Sequence, residues 1–116
     1  MVGPVAAAEP AGRGAAVTAV TGVADAMVVM GGHPRPGDVA CLSDVIDSLQ
    51  RDQGLGVLVE LSGLRVCRLE LLDVLVRARR RAVAAGLPFQ VAADGPGTAP
   101  DVRRLLGLVG LVAYPV

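Results

Sequence analysis

Apolar and polar positions alternate with two different periods along this chain, and the change of period marks out the elements. Leu55–Leu61 is almost wholly apolar, the mark of a central strand covered on both faces. Val17–Gly22 sets Val17 and Ala19 against the hydroxyl-bearing Thr18 and Thr21, which predicts a short edge strand. Ala26–Met30 is a firmer strand stopped by Gly31-Gly32, and Gly22–Ala24 is its hairpin turn. Phe89–Ala93 predicts one more strand.

Helical spacing takes over between these runs. Asp38 reads as the N-cap of a helix to about Arg51, with Val39, Leu42, Val45, Ile46 and Leu49 on its apolar face. Gly54 and Gly56 break it. Leu69–Ala85 predicts a long helix with a stripe of Leu72, Leu75, Val76, Arg79 and Val83, stopped by Gly86 with Pro88 beyond. Thr98 or Pro100 opens a short helix through Leu106, ended by Gly107 and Gly110, and Leu111–Val116 is an apolar tail expected to pack back. His33-Pro34-Arg35-Pro36-Gly37 is irregular, because proline lacks the backbone donor and glycine the restraint. Met1–Ala16 has no period, so residues 1–14 are expected to be a flexible leader and residues 15–116 one domain. The order ββαβαβα predicts an α/β fold. Its sheet would be mixed and mostly parallel, with four or five strands flanked by three or four helices.

Composition narrows the chemistry. Apolar residues make up 53% of the 116 and charged residues 19%, enough for a packed core built from Val, Leu and Ala, since Phe89 and Tyr114 are the only aromatics. All eleven cationic residues are Arg. Without Lys a phosphate loop of the Walker type cannot form. Eleven acids bring the formal charge to zero, which argues against bulk electrostatic binding to nucleic acid or membrane. The final apolar run is too short to insert in a bilayer. Cys41 and Cys67 fall in separate elements and match no metal spacing, so neither a metal nor a cofactor is expected. No secretion signal opens the chain, and reduced thiols in a cytoplasm are the expectation.

Several runs together carry a resemblance. V-L-V-E-L-S-G-L (residues 57–64) leads through a loop to a Leu-rich helix ending R-A-R-R-R-A-V-A-A-G, then to P-F-Q-V-A-A and D-V-R-R-L-L-G-L-V-G-L. Over residues 15–116 this resembles the STAS domain of sulfate transporters and anti-sigma factor antagonists. The strongest pieces are Glu60–Gly63 and the run Val102, Arg103, Arg104, Leu105, Gly110, Leu111. The resemblance implies a non-enzymatic module of bacterial partner switching in transcription regulation. Such an antagonist binds a kinase-type anti-sigma factor and is released when a Ser at the mouth of the second helix is phosphorylated. Family contact surfaces map to Arg35, Arg65, Cys67, Arg68, Glu70 and Asp73.

At that mouth the chain departs from the family. The ungapped match places Arg68 on the family's Asp, Leu69 on its first Ser, Glu70 on the phosphorylated Ser and Leu71 on its Gly. No hydroxyl remains there, and Arg35 and Arg68 invert the charge of the face. Glu70 either imitates a phosphoserine or, more simply, complements the helix dipole for a few tenths to about 1 kcal/mol. Asp73 does the same and can pair with Arg77 one turn on. Cys67, between Arg65 and Arg68, reads as a small apolar residue rather than a reactive thiol. His33 lacks a catalytic partner in sequence range, and Arg77, Arg79, Arg80 and Arg81 read as cations near a helix C-terminus. An alternative is a structural or assembly subunit of a stress-sensing or lipid-transport complex, or a homodimer. An enzyme is not expected, for no nucleophile–base pair, metal spacing or phosphate loop is present.

Overall fold

The computed structural model describes residues 3–6, 17–61, 63–93 and 98–111. The strands are β1 (Gly3–Ala6), β2 (Val17–Thr21), β3 (Asp25–Met30), β4 (Gly56–Glu60) and β5 (Phe89–Ala92). The helices are α1 (Pro36–Arg51), α2 (Leu69–Ala85) and α3 (Pro100–Leu108). The strands form one mixed sheet in the order β1-β2-β3-β4-β5. The β1/β2 and β2/β3 pairs are antiparallel, and β3/β4 and β4/β5 are parallel. The α/β architecture expected from the period changes is the one observed.

Each boundary has a local cause. The β2–β3 hairpin closes where Gly22 N–H donates to the Asp25 carbonyl at 2.7 Å. α2 ends on Gly86 at φ 69°, where the Leu87 N–H reaches back to the Ala82 carbonyl at 2.8 Å. That left-handed turn suits glycine because a Cβ would crowd the backbone. Gly56 opens β4 for a different reason: a Cβ there would lie 2.8 Å from Asp25 Oδ1 and 3.0 Å from the Pro88 ring.

Five expectations change. Gly3–Ala6, inside the stretch read as a leader, pairs with β2 as an edge strand, so β2 is not at the edge. A four-residue run of Gly, Pro, Val and Ala has no period to reveal it, and Pro4 is tolerated only because an edge needs fewer donors. α1 begins two residues before Asp38, with Arg35 as N-cap. Pro36 carries a preset helical φ, and the Asp38 carboxylate reaches back to accept from the Arg35 N–H at 2.7 Å. The buried face of α2 holds Leu71, Leu72, Leu75, Ala78 and Ala82. Val83 is exposed, because close packing on α1 selects the small alanines. α3 runs through Gly107 to Leu108. Beyond it Leu111 is buried, donating to the Leu106 carbonyl at 2.9 Å, while the rest of the expected tail, 112–116, lies outside the described residues.

The fifth change concerns the sheet. Among the described residues β4 is fully covered on one face and partly on the other: Val57 and Val59 are buried, Leu58 and Glu60 half-buried. Strands β3, β4 and β5 follow one another in space as in sequence, so two right-handed crossovers put α1 and α2 on the same side. The two helices accordingly pack against each other. Core residues Val17, Val28, Met30, Leu42, Ile46, Val59, Leu61, Leu71, Leu75 and Leu106 fill the space between sheet and helices. Val20 and Met27 stay over a third exposed on the other face.

Candidate functional site at the helix mouth

The parallel strands end together, and the loops that follow them are tied to one another. The Gly32 N–H donates to the Gly63 carbonyl at 3.1 Å, and the Arg65 N–H returns to the Gly32 carbonyl at 2.9 Å. Gly32 and Leu64 thus form a parallel bridge that prolongs the sheet past β3 and β4. The loop after β5 joins them: Ala99 N–H donates to the Leu64 carbonyl at 3.0 Å, and Gly63 N–H to Thr98 Oγ1 at 2.8 Å. Three connections are thereby fixed as one platform at the C-terminal ends of the strands, the end where open α/β sheets present their sites.

All six residues singled out from sequence belong to this end. Arg35 caps α1, Arg65 and Cys67 lie in the β4–α2 loop, and Arg68 caps α2. Glu70 is in the first turn of α2, and Asp73 follows one turn on. Arg35, Arg65, Arg68, Glu70 and Asp73 are exposed. An arginine N-cap cannot accept a hydrogen bond, and α2 has no side-chain cap. The carboxylate of Glu70 complements the uncapped N–H groups instead, with Arg68 Nε 3.8 Å from its Oε2. In so exposed a pair the attraction is worth at most about 1 kcal/mol. Asp73 pairs with Arg77 as expected, Nε to Oδ2 at 3.1 Å, so its charge runs along the helix rather than over the mouth.

Cys67 is half-buried, and burial pushes its thiol up to about 11. Its thiol lies 3.9 Å from the Arg68 carbonyl oxygen. Burial also raises the Cys41 thiol, helped by the carboxylates of Asp44 and Asp38. His33 stands exposed in the β3–α1 loop. Among the described residues no group of three or more His, Cys, Asp or Glu is placed to hold a metal ion. No described helix is long and apolar enough to cross a membrane.

The arginine run of α2 separates into individual contacts. Arg79 Nη1 donates to the Gly110 carbonyl at 2.9 Å and to that of Val109 at 3.4 Å, closing the end of α3. Arg81 Nε donates to Gln50 Oε1 at 3.0 Å, while Gln50 Nε2 donates to the Ala78 carbonyl at 2.9 Å. These arginines precede the last turn of α2, which holds no basic residue, so they do not cap their own helix as expected.

Sequence reasoning overlooked two side chains at the mouth. Leu69 is 80% exposed and Val66 43% exposed. Leu69 had a detectable signal: it stands about a third of a turn from the centre of the buried face of α2. Val66 had none. Ser62, the nearest hydroxyl in sequence, lies outside the described residues. No protein-family model matches the chain, and neither does any curated protein.

Proposed function

We propose that this chain is a non-enzymatic protein–protein interaction domain, similar to an anti-sigma factor antagonist, that works in cytoplasmic partner switching in bacterial transcription regulation without a serine switch of its own. One observation carries the reading: positions 68–71, at the mouth of α2, present Arg, Leu and Glu to the outside and contain no hydroxyl. Two connected loops hold that mouth in place, so a partner meets a prepared surface rather than one it must order.

The test is binding of a kinase-type anti-sigma factor from the same cell to the wild type, Glu70→Ala and Glu70→Ser. If Glu70 holds the chain in a released state, both substitutions tighten binding, and the kinase then modifies Glu70→Ser but not the wild type. If Glu70 only complements the helix dipole, Glu70→Ala loses a few tenths to about 1 kcal/mol of stability and leaves affinity unchanged. Absence of binding by all three proteins sinks the antagonist reading.

The less covered sheet face, where Val20 and Met27 stay over a third exposed, favours a second reading, an assembly subunit or homodimer. Val20, Met27, Leu58 and Pro88 line a shallow groove there with Asp25 and Gln90. A molecular mass that rises with concentration, and returns to that of one chain in Met27→Lys, supports this reading.

A further inference from the structure

We propose that the less covered face of the sheet docks an amphipathic helix of a different protein, one that sets a cationic side chain over Asp25 and apolar side chains over Met27 and Leu58. This rests on the second reading above, chooses the assembly subunit over the homodimer, and adds the chemistry of the partner.

Strand register brings the contact residues together. Val20, Met27, Leu58 and Gln90 are successive cross-strand partners from β2 to β5, so they form one row across the face. Neighbours in such a row are about 4.8 Å apart. Asp25 opposes Gly56 in the adjoining row, two residues back along β3 and β4. Both rows, with Pro88, border the same groove.

Gly56 decides how the acid sits. A Cβ there would lie 2.8 Å from Asp25 Oδ1 and 3.0 Å from the Pro88 ring, so its absence lets the carboxylate lie down over the sheet beside Pro88. Among the described residues no side chain pairs with that carboxylate. Glu60 shares the face as the partner of Val29, but it is already engaged. Every described arginine lies in a helix or a loop, so no strand position on this face carries a positive charge.

The groove thus combines apolar side chains with one unmatched acceptor. A lysine or arginine of a partner would meet Asp25 through a charge-assisted hydrogen bond, next to the apolar contact made over Met27 and Leu58. Asp25 and Met27, two residues apart on one strand, are separated by roughly 7 Å. Side chains one turn apart on a helix stand about 5–6 Å apart, so a helix along β3 sets its cation and its apolar residue over the two in turn. A second copy docked face to face would bring another carboxylate and no strand-borne cation, which points to a different chain. A nucleic acid or an anionic membrane would be repelled by the same acids.

The test is a nitrogen-15 NMR titration of the full chain, to millimolar peptide, with three alanine-based helical probes. The first carries Arg with Leu four and seven residues on, the second has Glu in place of Arg, and the third has Ser in place of both Leu. The Arg-Leu peptide is expected to shift amide signals in segments 25–27, 56–58 and 88–90 and to leave those of 64–71 unmoved. Its affinity falls about tenfold in Asp25→Asn and in Met27→Ser, and for the wild type it falls with added salt. The other two peptides bind at least about tenfold more weakly. Both substituted side chains are exposed, and the turn bond from Gly22 goes to the main-chain carbonyl of Asp25, so the variants keep the fold. An Asp25→Asn protein that binds the Arg-Leu peptide as tightly as the wild type overturns this inference but leaves an interface on the face. A Glu-Leu or Arg-Ser peptide that shifts the face as strongly does the same. Silence towards all three peptides, with a mass that rises with concentration and returns to that of one chain in Met27→Lys, assigns the face to a second copy and overturns this inference alone. Silence with the mass of one chain at every concentration overturns both this inference and the second reading.

Discussion

Cys67 shows how a residue's chemistry depends on more than its neighbours in sequence. Two arginines beside a thiol suggest a stabilised thiolate, yet burial dominates and raises the thiol to about 11 from an ordinary 9.0. The raised value means that the fold disfavours the thiolate. The stability tied to the neutral thiol is therefore present in full below pH 9.0 and lost as pH climbs through about 11. Iodoacetamide labelling of native protein should be slow at pH 8 and accelerate steeply above pH 10. The urea midpoint should fall over the same alkaline range, and less steeply in Cys67→Ala. Labelling at pH 8 as fast as that of a small-molecule thiol would contradict the burial argument. The reading of Cys67 as an apolar residue was available from sequence. That the guanidinium groups turn outward was not, because direction depends on a loop without a period.

Among the elements, legibility followed period. Leu69–Ala85 was readable to the residue because a long amphipathic run ends on glycine. β3 and β4 were readable within a residue or two. What failed were features decided by partners far away in sequence. β1 is a strand only because β2 lies beside it, and Val83 is exposed because α1 takes the other side of α2. Arg79 is a further case: its spacing fits the apolar stripe of α2, but its role is to close α3 thirty residues later. Arg79→Ala should lower stability by about 1 kcal/mol. Amide exchange should quicken in residues 107–111 well before it does in α1, and uniform exchange across all three helices would refute this local role.

The whole molecule is two layers, with helices on one side of the sheet and a mixed apolar and polar face on the other. Strand and helix order were enough to predict an α/β sheet. The partly exposed face was not legible, because a run such as Leu55–Leu61 reads alike whether one face or both are fully covered. The candidate site was legible as a location, since five of its six residues come from loops or first turns at the same end of the sheet. Its apolar part was missed because exposure is a property of the finished surface. The platform depends on Thr98 as well as on the β3 and β4 loops, since its hydroxyl oxygen accepts the Gly63 N–H. Thr98→Val keeps the shape, removes the acceptor and should cost about 1–3 kcal/mol. The same change should broaden the amide signals of residues 63–68 while leaving those of β2 and β3 sharp. An unchanged melting temperature would show that the third loop holds nothing in place.

The β2–β3 hairpin, finally, supplies a handle. Val23 at its tip is 92% exposed. The turn precedes β3 and the mouth of α2 follows it, so the two lie at opposite ends of the sheet, roughly 20 Å apart for a six-residue strand. Burial raises both natural thiols, so each is expected to react slowly near neutrality. A single Val23→Cys substitution therefore gives one fast-reacting site for a maleimide dye or a sensor surface. A chain tethered there faces the solution with Arg68 and Leu69 outermost, the orientation in which any partner can be weighed directly.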